Sequence, residues 1–177
     1  ELVDILKHTK THLMNGVSYM IPVVVGGGIL MAIAVLLTGE GAAPGWGSGI
    51  PYWLWTIGVD ALGLMCPVFA AYIAFSIADR PGIAVGMAGG FMALNIPTGF
   101  ADGAVTTASA GFIGAAIAGL LGGIIAHYLK KIPLPKSMQS LKSIIIIPVI
   151  GVLAVGIIMF AFGTPIAAFM TWLEDVM

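Results

Sequence analysis

From Leu62 to Leu94 the chain carries only two charged residues, the adjacent pair Asp79-Arg80, and Pro81-Gly82 follows at once. A charged side chain at the centre of a bilayer costs on the order of 2.5–3.5 kcal/mol on insertion scales, so such a pair between two apolar runs belongs at a water-facing turn. Pro81 suits the first turn of the helix that follows, where its missing N–H has no intrahelical partner to lose. The stretch is therefore expected to be the tip of a helical hairpin. Composition agrees: 59% of residues are hydrophobic and 8% are charged, against about 25% charged in soluble domains. The expected class is all-α, a polytopic transmembrane helical domain with about five membrane-crossing helices, glycine-rich packing and an N-terminal interfacial helix. A net charge of -1 argues against a nucleic-acid-binding surface.

In chain order, Glu1 to Asn15 places Leu2, Ile5, Leu6 and Leu13 on one helical face, with Lys7, His8, Lys10 and His12 alongside, as in a helix lying at the membrane surface. Val17 to Leu37 is 21 residues, about 31 Å of helix, and matches a hydrocarbon core of about 30 Å. Pro22 makes that helix kinkable, and Gly26-Gly27-Gly28 allow close backbone approach. Thr38 to Pro51 contains Glu40 but neither Lys nor Arg, so it is expected outside; Trp46, Tyr52, Trp53 and Trp55 would anchor the second helix at that interface. Leu62 to Ala78 carries it inward.

Pro81 to Leu94 spans only about 21 Å of helix before Asn95-Ile96-Pro97-Thr98-Gly99 interrupts it. A re-entrant segment would divide the Lys and Arg residues four against three; a crossing, continued through Phe100, puts all seven on one side, and charge bias favours the crossing. Asp102 to Ser109 is expected as a short external loop and Ala110 to Leu129 as the next helix. Gly82, Gly86 and Gly90 recur every four residues, as do Gly111, Ala115, Gly119 and Gly123. These stripes of small residues could pack the two helices on each other or simply reflect abundant glycine. Lys130 to Ser143, with Pro133, Pro135 and Lys136, reads as a connector beside anionic headgroups. Ile144 to Trp172 is the last apolar stretch, broken at Gly163-Thr164-Pro165 and ending at Glu174-Asp175 outside.

No catalytic constellation stands out: there is no Gly-x-Ser-x-Gly elbow, phosphate-cradling loop or His-Glu-x-x-His. His8 and His12 have helical ligand spacing but no Cys or paired carboxylate beside them, so surface contact is expected in place of a metal, and no cofactor is expected. Cys66 sits in an apolar run as a packing thiol. Polar residues near the membrane are the candidate substrate contacts: His12 and Asn15, with Ser18 and Tyr19 nearby, and Asn95 and Thr98 at the helix break. A neutral sugar needs such imidazole, amide and hydroxyl partners, although helix capping and interhelical hydrogen bonding are the commoner use of such residues. Asp79, Arg80 and Pro81 form a turn that either caps the next helix or docks a cytoplasmic partner.

Four stretches carry a family resemblance: His12 to Pro22 (HLMNGVSYMIP), Ala71 to Gly82 (AYIAFSIADRPG), Gly111 to Gly123 (GFIGAAIAGLLGG) and Leu129 to Pro148 (LKKIPLPKSMQSLKSIIIIP). In order and combination they resemble the membrane component, enzyme IIC, of fructose-type phosphotransferase systems. The resemblance implies a homodimeric permease in the bacterial inner membrane that carries a sugar inward for phosphorylation by cytoplasmic enzyme IIB on a phosphocysteine, a part that Cys66 cannot play mid-membrane. It also implies about twice this length, with a Gly-x-x-Glu-Gly-Ala-Ile-Pro-Phe-like sugar motif in a second half that is not present here. Residues 1–177 are thus expected to be the N-terminal scaffold and dimerisation half, N-terminus cytoplasmic, working with a C-terminal half. Two other readings stay open: an assembly module without transport of its own, and a small oligomeric channel or ion-coupled carrier using Asp60 and the Asn95 break.

Overall fold

The computed structural model of the chain describes residues 2–39, 45, 47–101, 104–133 and 141–176. Glu40, Trp46, Asp102, Pro135 and Lys136 lie outside them, as do the side chains of Thr98, Phe100, Glu174 and Asp175. The elements are α1 (Leu2–Lys7), α2 (Thr9–Thr38), α3 (Ile50–Gly63), α4 (Met65–Ala78), α5 (Arg80–Leu94), strands β1 (Ile96–Ala101) and β2 (Ala104–Ala108), α6 (Gly111–Lys131), a π-helical turn at Lys142–Ile146 and α7 (Ile147–Val176). Among the described residues, four segments are long and apolar enough to cross a membrane: Thr9–Thr38, Ile50–Ala78, Gly111–Lys131 and Lys142–Met170. Helix α5 has 15 residues, a rise of about 22 Å, short of a full hydrocarbon core. The polytopic helical class expected from composition is the one observed, and about five crossings is an approximate count.

The chain divides into two compact units, Ser18–Met65 and Glu1–Val17 with Cys66–Met177. In the smaller one, a glycine pair sets the approach of α2 and α3. A Cβ at Gly27 would stand 2.8 Å from the Gly58 carbonyl oxygen, and one at Gly58 would stand 2.7 Å from that of Gly27. Gly26 and Gly28 meet nothing within 4 Å, so one glycine of the expected three is the contact.

The N-terminal surface segment ends earlier than residue 15. The His8 N–H donates to the Asp4 and Ile5 carbonyls, the Thr9 hydroxyl donates to the Leu6 carbonyl, and these bonds occupy the last acceptors of α1. Residues 9–15 are instead the opening turns of α2.

In the larger unit Gly82, Gly86 and Gly90 of α5 and Gly119 and Gly123 of α6 face α4, not each other as the spacing suggested, whereas Gly111 meets Met170 of α7. Along α5, a Cβ at Gly82 would lie 2.5 Å from the Ala74 carbonyl oxygen, and one at Gly86 would lie 2.5 Å from that of Ala70. A Cβ at Gly90 would lie 2.8 Å from the Cys66 oxygen. From α6, Gly119 seats on Ala70 and Ile73, and Gly123 on Ile77 and Ala74. The α5–α6 contact uses other small residues: Gly89 against Ala118, Gly114 against Ala93, and Gly122 against Gly86. Helix α7 closes the core, with Val155, Met159 and Ile147 packed among Val85, Ala93, Ala118 and Ala126.

Where Asn95 to Ser109 was expected to be a helix break and a loop, β1 and β2 form an antiparallel ribbon, with a register shift between Pro97 and Gly99 that leaves Thr98 unmatched. Ile96, fully buried with Ala110 and Ala167, pins it, and the β-branched Val105-Thr106-Thr107 run favours strand over helix. The expected break at Gly163-Thr164-Pro165 is likewise absent, since α7 runs through it. A proline removes one backbone donor, which a membrane helix tolerates, and Gly163 is held against Ile96. No polar or charged residue is buried among the described residues, whereas large apolar side chains such as Leu36 (79%) and Ile144 (72%) are exposed, as lipid-facing surfaces are.

Candidate functional site

The substrate candidates fall into two groups. Asn15 lies one turn after His12 on α2, so the two share a face, and both meet α4. His12 Nδ1 and Ser76 Oγ are 2.7 Å apart, a hydrogen bond whose donor depends on the imidazole tautomer, and Asn15 Nδ2 donates to the Tyr72 carbonyl at 3.3 Å. Gly16 makes this approach possible, because a Cβ there would stand 2.8 Å from the Phe69 carbonyl oxygen. Rising numbers in the opening turns of α2 meet falling numbers on α4, so those turns run antiparallel to α4, and both His12 and Asn15 are half-buried.

Asn95 stands apart from them, at the far end of α5 from Asp79, about 22 Å of helix away. It is exposed, and its side-chain amide donates to the Phe91 carbonyl at 3.2 Å while its N–H donates to that of Met92. It finishes α5 by satisfying free carbonyls. The Thr98 backbone follows in β1. His12 with Asn15 and Asn95 with Thr98 therefore occupy opposite ends of the α4–α5 hairpin and do not form one site.

The turn between α4 and α5 is built as its residues require, with one difference. Asp79 takes the N-cap position at φ 60 and Pro81 sits in the first turn, but no side-chain cap bond forms. With φ 60 and ψ -151 the Asp79 backbone lies in a region that glycine favours and L side chains rarely adopt, so the turn is strained. The Asp79 carboxylate instead pairs with Lys130 Nζ at 2.5 Å, which ties the turn to the last turn of α6. That contact rules out the re-entrant alternative, in which Arg80 and Lys130 lay on opposite sides. Together with the α2–α4 bonds, it collects the described cations Lys7, Lys10, Arg80, Lys130, Lys131 and Lys142 at one end of the larger unit.

Three features went unnoticed in the sequence. Ser76 and Tyr72 are the α4 partners of the His12 pair. Lys142 Nζ donates to the Lys130 and Ile132 carbonyls, closing the C-terminus of α6. His127 has a buried Nε2 without a hydrogen-bond partner among the described residues; it continues the four-residue repeat of Gly119 and Gly123, which could have marked it.

Chemically, the site can hold and exchange hydrogen bonds through the His12 imidazole, the Ser76 hydroxyl and the Asn15 amide. His8 Nδ1 is engaged with the Asp4 carbonyl at 2.7 Å and His12 with Ser76, so the two imidazoles serve different partners. No cluster of three metal-ligating side chains occurs among the described residues. Cys66 is buried. A cleft of about 550 Å³ beside α7, bounded by Met92, Val152, Gly156 and Phe160, is apolar and unsuited to a polyhydroxyl ligand.

The family described as phosphotransferase system, EIIC matches residues 14–175. The chain is 47% identical over 171 residues to fructose-like permease IIC component 2 of Escherichia coli (strain K12), an alignment covering 95% of this chain and 44% of that protein. It is 42% identical over 175 residues to the PTS system fructose-specific EIIABC component of Bacillus subtilis (strain 168), covering 93% and 26%. It is 44% identical over 165 residues to the PTS system fructose-specific EIIB'BC component of Xanthomonas campestris pv. campestris, covering 92% and 27%. The chain thus spans less than half the length of these relatives. No solved structure matches it.

Proposed function

Because the chain belongs to the EIIC family of the phosphotransferase system, we propose that it forms the N-terminal scaffold half of a fructose-type sugar permease. In this reading a C-terminal half moves the sugar against the fixed frame of α4, α5, α6 and α7, as one repeat rocks against another in secondary transporters. Cytoplasmic enzyme IIB then phosphorylates the sugar on arrival. The observation that carries the reading is the family match along residues 14–175. The glycine-seated packing of α5 and α6 on α4 supports a rigid frame, since small residues at such contacts leave little room for sliding. The B-bearing names of the Bacillus and Xanthomonas relatives support the partnership with IIB.

The end that gathers the lysines faces the cytoplasm of a bacterial inner membrane, as the positive-inside rule requires, and the N-terminus with it. His12 and Asn15 line the scaffold side of the sugar path near that end, while Asn95 and Thr98 border it at the other. The protein works as a homodimer. The small-residue stripes on α5 and α6 are occupied within the chain, so the exposed apolar faces are the ones left for a second copy.

The test is uptake of radiolabelled fructose by cells expressing the chain together with its C-terminal partner, with and without an intact phosphorelay. Sugar recovered as its phosphate only in relay-competent cells supports the reading. Equal entry of unmodified sugar in both would refute it.

A further inference from the structure

Where α6 ends and the π turn before α7 begins, the chain encloses a cavity of about 480 Å³ lined by Pro81, Lys130, Lys131, Lys142, Ser143 and Ile147 among others. We propose that this cavity is a binding site for the phosphodiester headgroup of an anionic phospholipid, with one acyl chain leaving along α7.

The lining has the two characters such a ligand needs. Its floor is apolar, with Ile147 1% exposed and Pro81 beside it, and its mouth carries three ammonium groups and the Ser143 side chain. Asp79 pairs with Lys130, and the lining brings the three lysines Lys130, Lys131 and Lys142 together around one cavity. The cations are held in place before any ligand arrives. Lys130 is fixed by Asp79 at 2.5 Å, Lys142 by the carbonyls of Lys130 and Ile132, and Lys131 by the Tyr128 ring, 5.7 Å from its centroid. An ammonium has three donors; with one used on Lys130 and two on Lys142, both keep capacity for phosphate oxygens. Binding to groups already ordered avoids much of the entropy cost of organising long side chains.

Position selects lipid over a free anion. The cavity sits between the ends of two candidate spans, Gly111–Lys131 and Lys142–Met170, at the depth where headgroups lie, and basic pockets between membrane helices on the cytoplasmic side are known to hold such headgroups. Next to it, α7 exposes Val149 (62%) and Leu153 (64%), an apolar track for an acyl chain. The site depends on the membrane placement of these helices and not on sugar transport, so a failed uptake experiment leaves it standing.

Native mass spectrometry of the purified chain, released from detergent with phosphatidylglycerol or phosphatidylcholine added, tests the assignment. Phosphatidylglycerol adducts should outnumber those of phosphatidylcholine. Lys130→Gln and Lys131→Gln should each weaken phosphatidylglycerol retention about fivefold, while Asp79→Asn, which removes the competing carboxylate, should strengthen it. Lys7→Gln with Lys10→Gln, at the same end but outside the cavity, should leave it unchanged, and thermal unfolding of each variant checks that it is folded. Equal retention of the two lipids, or equal loss in both sets of lysine variants, overturns the site. Displacement of the lipid by millimolar inorganic phosphate that itself protects the chain from unfolding overturns the lipid assignment in favour of a free anion.

Discussion

Replacing Gly86 by leucine strikes the packing on which the frame rests. A Cβ at that position would stand 2.5 Å from the Ala70 carbonyl oxygen and 2.6 Å from Ala74 Cβ, where ordinary contact is about 3.5–4.0 Å. Neither neighbour can swing aside, because one is backbone and the other is a methyl fixed to it, so α4 and α5 must part by about 1 Å. Gly82 and Gly90, seated on Ala74 and on Cys66, lose their contacts in the same movement. Overpacking of this kind costs about 1–3 kcal/mol. Leucine also favours helix over glycine by somewhat under 1 kcal/mol, and Gly28→Leu supplies the matched control, since nothing lies within 4 Å of Gly28. The difference between the two variants isolates the packing cost, about 1–3 kcal/mol, or a melting point lower by about 2–12 °C. Cys66 supplies the readout: it is the chain's single cysteine and is 4% exposed. A maleimide fluorophore should therefore label Gly86→Leu at a lower temperature than Gly28→Leu during a thermal ramp in detergent. Coincident labelling curves would refute the seating of α5 on α4.

His12→Ala and Ser76→Ala should each destabilise the chain by about 1 kcal/mol, and the double variant by less than their sum, because both remove the same hydrogen bond; strict additivity in detergent unfolding would mean the bond contributes nothing. His127→Leu removes a buried nitrogen that has no partner among the described residues and should raise the melting point by a few degrees. A lower melting point would show that the imidazole is held by a bond not seen here.

How far the sequence reveals this fold depends on the range of the signal. The apolar runs and the Asp79-Arg80-Pro81-Gly82 turn were legible because the cost of burying charge in lipid is local and large. The four-residue stripes showed which face of α5 and α6 is small, but not that both faces lean on α4, since a helical period names a face and never its partner. The ribbon at 96–108 was hidden by Pro97 and Gly99, which read equally as a helix break, and the residue that holds it, Ile96, is explained only by Ala110, Ala167 and Gly163 across the fold. The helix break between α3 and α4 at Leu64 has no clear local signal, although Pro67 lies in the first turn of α4. Of the site, His12 and Asn15 stood out as polar residues in an oily segment; their partners Ser76 and Tyr72 did not, because a hydroxyl or a backbone carbonyl in a helix carries no mark of what it faces.

In the proposed permease the lysine-bearing end meets the cytoplasm, where a phosphorylating partner would dock. In a Cys66→Ala background, Lys131→Cys and Ser109→Cys place single thiols at the two ends of α6 for labelling of intact cells with a membrane-impermeant maleimide. Ser109→Cys should react at once and Lys131→Cys only after the membrane is opened. Labelling of Lys131→Cys on sealed cells, with Ser109→Cys protected, would contradict the orientation and the permease reading built on it.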